Sequence, residues 1–214
     1  PDAEMEERLF SCKNNSGIIE SRQVYHMNIT DRRRMLRRTE YYNPTITSSA
    51  DDMSARMCKI LKSLRSGDRS TVVLCIGTDR ATGDALGPLV GSLLSNSQCA
   101  YRVYGTLQHP VHALNLNDTI KKIYTEHQYP VVIAVDASLG HRTDVGMVTL
   151  TKAPLLPGIG VNKKLPAIGD LSITGIVNLS GKPGLSLLQS TRLYTVNNMA
   201  LYIADVIMRT EAST

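Results

Sequence analysis

Three aspartates follow apolar runs of the kind that form buried strands, and their positions favour acid–base chemistry. Asp79 and Asp84 come after the run at 72–76, and Asp136 ends a second run that begins at Pro130. Neighbouring parallel strands lie roughly 5 Å apart, so carboxylates that follow such strands can converge. Two carboxylates at short range share a proton because both cannot ionise cheaply. One can then act as a base toward water while the other donates its proton to a substrate.

Each of these aspartates also has an ordinary structural explanation. Asp84 precedes an apolar pattern of helical spacing and could N-cap that helix, which is the commoner role for a single aspartate. Asp136 stands before Ala137 and Ser138 and could form a turn. Their joint position at the ends of two apolar strands is what favours catalysis over capping.

Other chemistries are less well supported by the motifs present. The loop at 77–84 lacks the third glycine of a dinucleotide-binding fingerprint and the Lys-Ser/Thr pair of a P-loop. His109 and His112 could be metal ligands, although neither belongs to a recognised metal motif. Ser138 and Ser172 lack the Gly-x-Ser-x-Gly elbow of hydrolases. We therefore predict no metal and no cofactor.

The elements that must position the aspartates follow from periodicity. The apolar run, polar loop and helical spacing within 71–94 form a strand, a turn and a helix, which is the opening half of a βαβ unit. We predict an α/β domain with three α/β/α layers around a mostly parallel sheet. The other predicted elements are a helix over 49–64 N-capped by Ser49, strands near 101–107, 130–135, 145–151 and 170–178, a helix from Asn115, a loop over 152–166 and one or two helices over 185–208.

Composition is consistent with this class of fold. The 214 residues are 42% hydrophobic and 20% charged, with no Trp and one Phe, so the core must be built from aliphatic side chains. The four cysteines form no Cys-x-x-Cys pair, and no run resembles a membrane span or a signal peptide. We expect a cytoplasmic protein without a membrane partner.

The first part of the chain differs from the rest. Residues 1–48 are predicted to be a poorly structured basic arm, and residues 49–214 a single domain. The arm contains five arginines between positions 32 and 38, a large share of the positive charge in a chain of net charge +5. No aromatic residues are interleaved with them in a nucleic-acid-binding motif, so a solvated arm is favoured and no nucleic acid is expected.

Four ordered motifs within residues 70–205 resemble the YyaC family of sporulation proteins, relatives of the germination protease of spore-forming bacteria. The first is Gly-Thr-Asp-Arg-Ala-Thr-Gly-Asp-Ala-Leu-Gly-Pro at 77–88. The others are the segments at 103–106 and 110–115, Val-Asp-Ala-Ser-Leu-Gly at 135–140, and the segment at 157–175. The resemblance implies a phosphorylase/hydrolase-like α/β fold.

The resemblance also implies an aspartic-type endopeptidase whose catalytic pair is Asp84 and Asp136. It implies a protein or peptide substrate, with small acid-soluble spore proteins the expected class, in the cytoplasm of the sporulating cell or in the spore core. It places the loop at 158–164 along the same cleft. The residues expected to orient the pair or contact substrate are Thr78, Asp79, Asn162 and Lys163.

Two other functions stay open. One is a catalytically inactive sporulation factor that binds a partner peptide in the same cleft. The other is a nickel-dependent peptidase similar to the hydrogenase maturation proteases, which use a Glu, an Asp and a later His. This chain has Asp84 at the first position and no His after His141, which disfavours the metal. A homo-oligomer is a further arrangement that the sequence leaves open.

Overall fold

The computed structural model describes residues 39–65, 69–157, 165–181 and 184–214. Residues 1–38 of the predicted basic arm, including its five arginines at positions 32–38, lie outside the described residues. Residues of the same predicted arm form a strand at Thr39–Tyr42, which the sequence pattern did not predict. The polar loop at 158–164 also lies outside the described residues.

The elements of the described chain alternate between strands and helices. No helix among them is both long enough and apolar enough to cross a membrane. In chain order they are β1 (Thr39–Tyr42), α1 (Ser49–Leu64), β2 (Thr71–Cys75), a 3-10 turn (Gly83–Ala85), α2 (Leu86–Asn96), β3 (Arg102–Tyr104), α3 (Leu116–Glu126), β4 (Val131–Gly140), β5 (Val148–Thr151), β6 (Leu171–Leu179), α4 (Gly184–Gln189) and α5 (Leu193–Ala212).

The strands form one six-stranded sheet with the order β1-β5-β6-β4-β2-β3. Strands β3, β2, β4 and β6 are mutually parallel, β5 is antiparallel to β6, and β1 is antiparallel to β5. The prediction of a mostly parallel sheet is therefore confirmed. β2 and the first half of β4 are continuous buried runs, as expected for interior strands that are covered on both faces.

Alternate side chains of the central strands divide the core between the two faces of the sheet. On one face, Val73 of β2 and Ile133 of β4 pack in a cluster with side chains of α1, α2 and α5. On the other face, Val72 and Leu74 of β2 pack with Leu116 and Ile123 of α3. Helices thus cover both faces, which confirms the three-layer α/β/α arrangement.

Several local predictions need correction. The N-cap position of α1 is Ser48, and the hydroxyl of Ser49 instead shares a 2.7 Å hydrogen bond with the hydroxyl of Tyr202 on α5. β3 ends at Tyr104 rather than near residue 107, because Gly105 turns the chain at φ +90°. The last apolar segment forms two helices, α4 and α5, which agrees with the prediction of one or two.

Candidate active site

Asp84 lies in the 3-10 turn that joins the loop after β2 to α2. The interpretation of Asp84 as a helix N-cap was wrong, because the N-cap position of α2 is Ala85 and no side chain caps the helix there. The Asp84 carboxylate faces its own loop instead, where Oδ2 accepts a 3.1 Å hydrogen bond from the backbone N–H of Thr78. The loop therefore holds the carboxylate in place, and the helix does not use it.

The start of that loop depends on a glycine. Gly77 adopts φ +140°, a conformation that side chains other than that of glycine rarely tolerate. Its N–H donates a 2.8 Å hydrogen bond to the carbonyl of Val111, and a Cβ at this position would collide with the carbonyl oxygen of Asp84. Gly77 is therefore packed between the turn that carries Asp84 and the segment that follows β3.

Asp136 was predicted to end its strand, but it lies within β4, which continues to Gly140. The neighbouring strand β2 stops at Cys75, whose partner on β4 is Val135, so Asp136 stands one residue beyond the end of their pairing. On its other side β4 goes on pairing with β6, where Thr174 is the partner of Asp136. The predicted turn at Asp136 is thus wrong. The residue does lie at the carboxyl end of β2, next to the turn that carries Asp84.

The two carboxylates interact electrostatically and lie in different environments. Asp136 is 9% exposed, and Oδ1 accepts a 2.8 Å hydrogen bond from the N–H of Ala137. Burial, and then the charge of Asp84, raise the pKa of Asp136 well above its ordinary value. Asp84 is half-buried, and burial raises its pKa too, but the Thr78 N–H and the imidazole of His112 oppose that rise.

The environments of the two carboxyls favour different protonation states. Burial favours the neutral form of Asp136, whereas Asp84 is less buried and has two groups that stabilise its charge. The pair can therefore hold one proton, on Asp136, beside a carboxylate at Asp84. An acid and a base at the carboxyl end of a parallel sheet can together activate water against a carbonyl group.

Hydroxyl side chains continue the polar surface beyond Asp136. Ser138 lies on the same side of β4, and its Oγ donates to Oγ1 of Thr174 at 3.2 Å and to the carbonyl of Gly175 at 3.3 Å. Oγ1 of Thr174 also lies 2.7 Å from Oγ1 of Thr149 on β5. These bonds tie Ser138 into contacts between strands, which suits a structural role rather than that of a nucleophile.

The remaining predicted site residues have separate outcomes. Thr78 contacts Asp84 through its backbone N–H, and its side-chain Oγ1 accepts from the N–H of Arg80 at 3.4 Å. Asp79 lies in the loop between β2 and the 3-10 turn, and its side chain is exposed. Asn162 and Lys163 lie outside the described residues, so their place in the cleft stays a prediction.

The sequence pattern did not connect His112 with Asp84. His112 was a metal-ligand candidate without a recognised motif and part of the segment at 110–115, and the structure adds an electrostatic effect of its ring on Asp84. The connection is a parallel bridge between Ile76 and Val111, which aligns the segment after β3 with the end of β2. A single isolated bridge leaves no periodic signal in the sequence, so the pattern could not predict it.

Metal and thiol chemistry find little support among the described residues. No group of three or more His, Cys, Asp or Glu side chains in the described ranges is arranged to hold a metal ion. Cys75, which the sequence assigned to the core, is fully buried in β2, and burial raises the pKa of its thiol. It therefore packs as a small apolar side chain.

A cavity of about 420 Å³ lies at the end of the sheet opposite to the aspartate pair. Its lining includes Thr71 and Arg102, the first residues of β2 and β3, together with Arg65 and Glu211. Neither Asp84 nor Asp136 lines this cavity. Because sites in open α/β sheets form outside the carboxyl ends of the strands, we place the candidate active site at the aspartate pair.

Replacement of Asp136 by asparagine, which cannot ionise, should stabilise the protein at neutral pH. The folded chain keeps the Asp136 proton above the pH at which the unfolded chain releases it, so this residue makes stability fall as pH rises from about 4. We expect Asp136→Asn to raise Tm at pH 7 by about 2–4 °C, the effect of about 1 kcal/mol in a chain of this size. The gain should disappear below about pH 3, where the aspartate is largely neutral in both states. Thermal unfolding of both proteins at both pH values tests this, and an equal Tm at pH 7 would contradict it.

Fold and site together define an α/β protein with two electrostatically coupled carboxyl groups at the carboxyl end of its parallel strands. Residues 38–206 match a family described as "Protein of unknown function (DUF1256)", and the chain belongs to that family. It is 45% identical over 173 residues to the protein YyaC of Bacillus subtilis strain 168, covering 80% of this chain and 83% of that protein. The predicted resemblance to YyaC is thereby confirmed.

One solved structure with a similar arrangement is the [NiFe] hydrogenase maturation protease HycI from Thermococcus kodakarensis KOD1. The match has a TM-score of 0.44 and 20% sequence identity, and covers 69% of this chain and 98% of that chain.

Proposed function

We propose that this protein is a sporulation-associated endopeptidase of the germination protease type, which hydrolyses peptide bonds with Asp84 and Asp136. The observation that carries the proposal is the pairing of a deeply buried carboxyl at Asp136 with a less buried carboxylate at Asp84. The proposed substrates are proteins or peptides, small acid-soluble spore proteins first among them. The proposed location is the cytoplasm of the sporulating cell or the spore core, and no cofactor takes part.

The proposed reaction begins with a water molecule between the two carboxyl groups. Its oxygen attacks the peptide carbonyl carbon while one water proton passes to Asp84, and Asp136 donates its own proton to the carbonyl oxygen. This forms a neutral gem-diol. Asp84 then donates its proton to the leaving nitrogen as the C–N bond breaks, and Asp136 recovers a proton from one of the diol hydroxyls. The products are a carboxylic acid and an amine, and the pair returns to its initial protonation.

The proposed substrate is an extended peptide laid across the end of the sheet. In this proposal its backbone passes beside Ser138 and Thr174, which lie next to Asp136 along β4 and β6. In this proposal the loop that contains Asn162 and Lys163 borders the same cleft, and Lys163 contacts the substrate.

Cleavage by the purified wild-type protein is the direct test. A small acid-soluble spore protein and a random peptide library are incubated with it, with and without a chelator, and products are identified by mass spectrometry. Metal-independent cleavage is expected. Binding of a peptide without cleavage would instead identify a catalytically inactive sporulation factor. Stoichiometric nickel with chelator-sensitive activity would identify a metal-dependent peptidase.

The pH profile of cleavage should be bell-shaped. The rate falls on the acid side when Asp84 takes up a proton, and on the alkaline side when Asp136 loses its proton. Because burial raises the pKa of both carboxyls, the optimum should lie above about pH 4, where free carboxyl groups titrate. Measurement of kcat/KM between pH 3 and pH 9 tests this. An optimum at or below the ordinary carboxyl range would contradict the raised pKa values.

A further inference from the structure

The segment after β3 is built against the turn that carries Asp84. Val111 forms a parallel bridge with Ile76, and its carbonyl accepts the N–H of Gly77 at 2.8 Å. Gly77 in turn packs against the carbonyl oxygen of Asp84, with no room for a side chain between them. Since His112 follows Val111 directly, the backbone fixes it next to the Asp84 turn.

The backbone of His112 is also held locally. The side chain of Asn115 accepts the N–H of His112 at 2.8 Å and donates to the carbonyl of Pro110 at 3.0 Å. The N–H of Leu114 approaches Nδ1 of the His112 ring at 3.3 Å. These bonds brace the short loop at 110–115, and His112 is the one titratable side chain of that loop.

The ring geometry leaves a donor available to an anion. A neutral imidazole that accepts a hydrogen bond at Nδ1 has its hydrogen on Nε2, and a charged imidazolium also has a hydrogen there. Nε2 can therefore donate to an anion in both states of the ring, and the charged ring, which gives up the Leu114 contact, also favours a nearby carboxylate by its charge. The ring is half-buried, which limits screening by water.

We propose that His112 is a positioning residue of the candidate active site, which keeps Asp84 ionised while Asp136 holds the shared proton. Its role as an aid to the base rests on the proposed peptidase function, but its effect on Asp84 does not. In the described chain, Asp136 on β4 is the ionisable group coupled to Asp84, and Asp79 and Arg80 lie exposed in the loop before the turn. Water screens the exposed Arg80, so His112 is the half-buried group whose positive charge favours an ionised Asp84.

The test measures the titration of Asp84 directly. Full-length protein with 13C-labelled aspartate carboxyls is titrated by NMR as wild type, His112→Gln and His109→Gln, with Asp84→Asn used to assign the signal. We expect the Asp84 midpoint to move to higher pH in His112→Gln and to stay unchanged in His109→Gln. His109 is the matched control because it lies in the same connection with an exposed side chain. An unchanged midpoint in a folded His112→Gln protein would overturn the proposal.

A second variant separates charge from structure. His112→Lys restores a positive group at the same position, so its Asp84 midpoint should lie below that of His112→Gln. If both variants shift the midpoint equally, His112 acts only by packing and the proposal fails. If His112→Gln does not fold, the wild type is compared with His112→Lys, because lysine is cationic over the pH range in which carboxyls titrate. An Asp84 midpoint that is higher in His112→Lys than in the wild type contradicts the proposal. An equal or lower Asp84 midpoint supports it.

Activity provides an independent readout. The acid limb of the cleavage profile should move to higher pH in His112→Gln in parallel with the NMR midpoint. If the wild type cleaves no substrate, the proposed function fails while the NMR titration still decides the place of His112. If the NMR midpoint moves and the acid limb does not, His112 affects Asp84 but Asp84 is not the base.

Discussion

Replacement of either aspartate of the pair by asparagine should abolish peptide cleavage. Asparagine keeps the size of the side chain and the acceptor for the Thr78 or Ala137 N–H, but it can neither take up nor release the shared proton. General acid and base catalysis each contribute roughly 10²–10⁴-fold, so we expect kcat in Asp84→Asn and in Asp136→Asn to fall by about 10³-fold or more. Because the two residues act as a unit, the double variant should lose little more than either single variant.

The control for this experiment is Asp52→Asn. Asp52 is an exposed aspartate in the first turn of α1, outside the candidate site. Its replacement should leave kcat and KM within about twofold of the wild type, since surface substitutions are usually near neutral. Substantial residual cleavage by a folded Asp136→Asn protein would show that this residue does not supply the acid. Circular dichroism and Tm establish that each variant is folded.

Replacement of Gly87 by alanine should strongly destabilise the protein. Gly87 lies in the first turn of α2, and an added Cβ would overlap the backbone oxygen, carbon and nitrogen atoms of Ile76 at the end of β2. Alanine improves helix propensity by about 1 kcal/mol, but a collision with three backbone atoms cannot be relieved by a side-chain rotation. We expect a net loss of at least about 2 kcal/mol, or a fall in Tm of roughly 5 °C or more.

Gly181→Ala is the matched control for Gly87→Ala. A Cβ at Gly181 would meet only the end of the Leu187 side chain at 3.5 Å, an ordinary contact. Its Tm should stay within about 2 °C of the wild type. Since α2 must move away from Ile76 to accept alanine at Gly87, the turn with Asp84 should move with it and activity should fall even where the variant is folded. A Gly87→Ala protein with wild-type Tm and activity would show that the helix adapts without displacement.

The sequence by itself determined the local order of elements. The uninterrupted apolar run before Gly77 is buried on both faces of the sheet, and the helical spacing after Asp84 forms α2, because periodicity reports which side chains each element must bury. The motif from Gly77 to Pro88 also carried the family resemblance. Two glycines of this motif have structural roles: Gly77 turns the chain, and Gly87 allows α2 to approach β2.

The tertiary structure alone decided how the site is assembled. Sequence patterns could not show that β4 continues past Asp136, because its extension depends on pairing with β6, about 40 residues further along the chain. They also missed β1, a short edge strand whose pairing with β5 supplies the order that its own sequence does not. Strand pairing is a long-range choice, whereas propensity is local.

For the aspartate pair as well, the sequence determined one part and the tertiary structure another. The sequence identified Asp84 and Asp136 as candidates because carboxylates after parallel strands converge. It could not rank their proton affinities, because these depend on burial by distant residues and on the approach of His112 through the Val111 bridge. Desolvation and charge act through space, so only the packed structure shows how the environments of the two carboxyls differ.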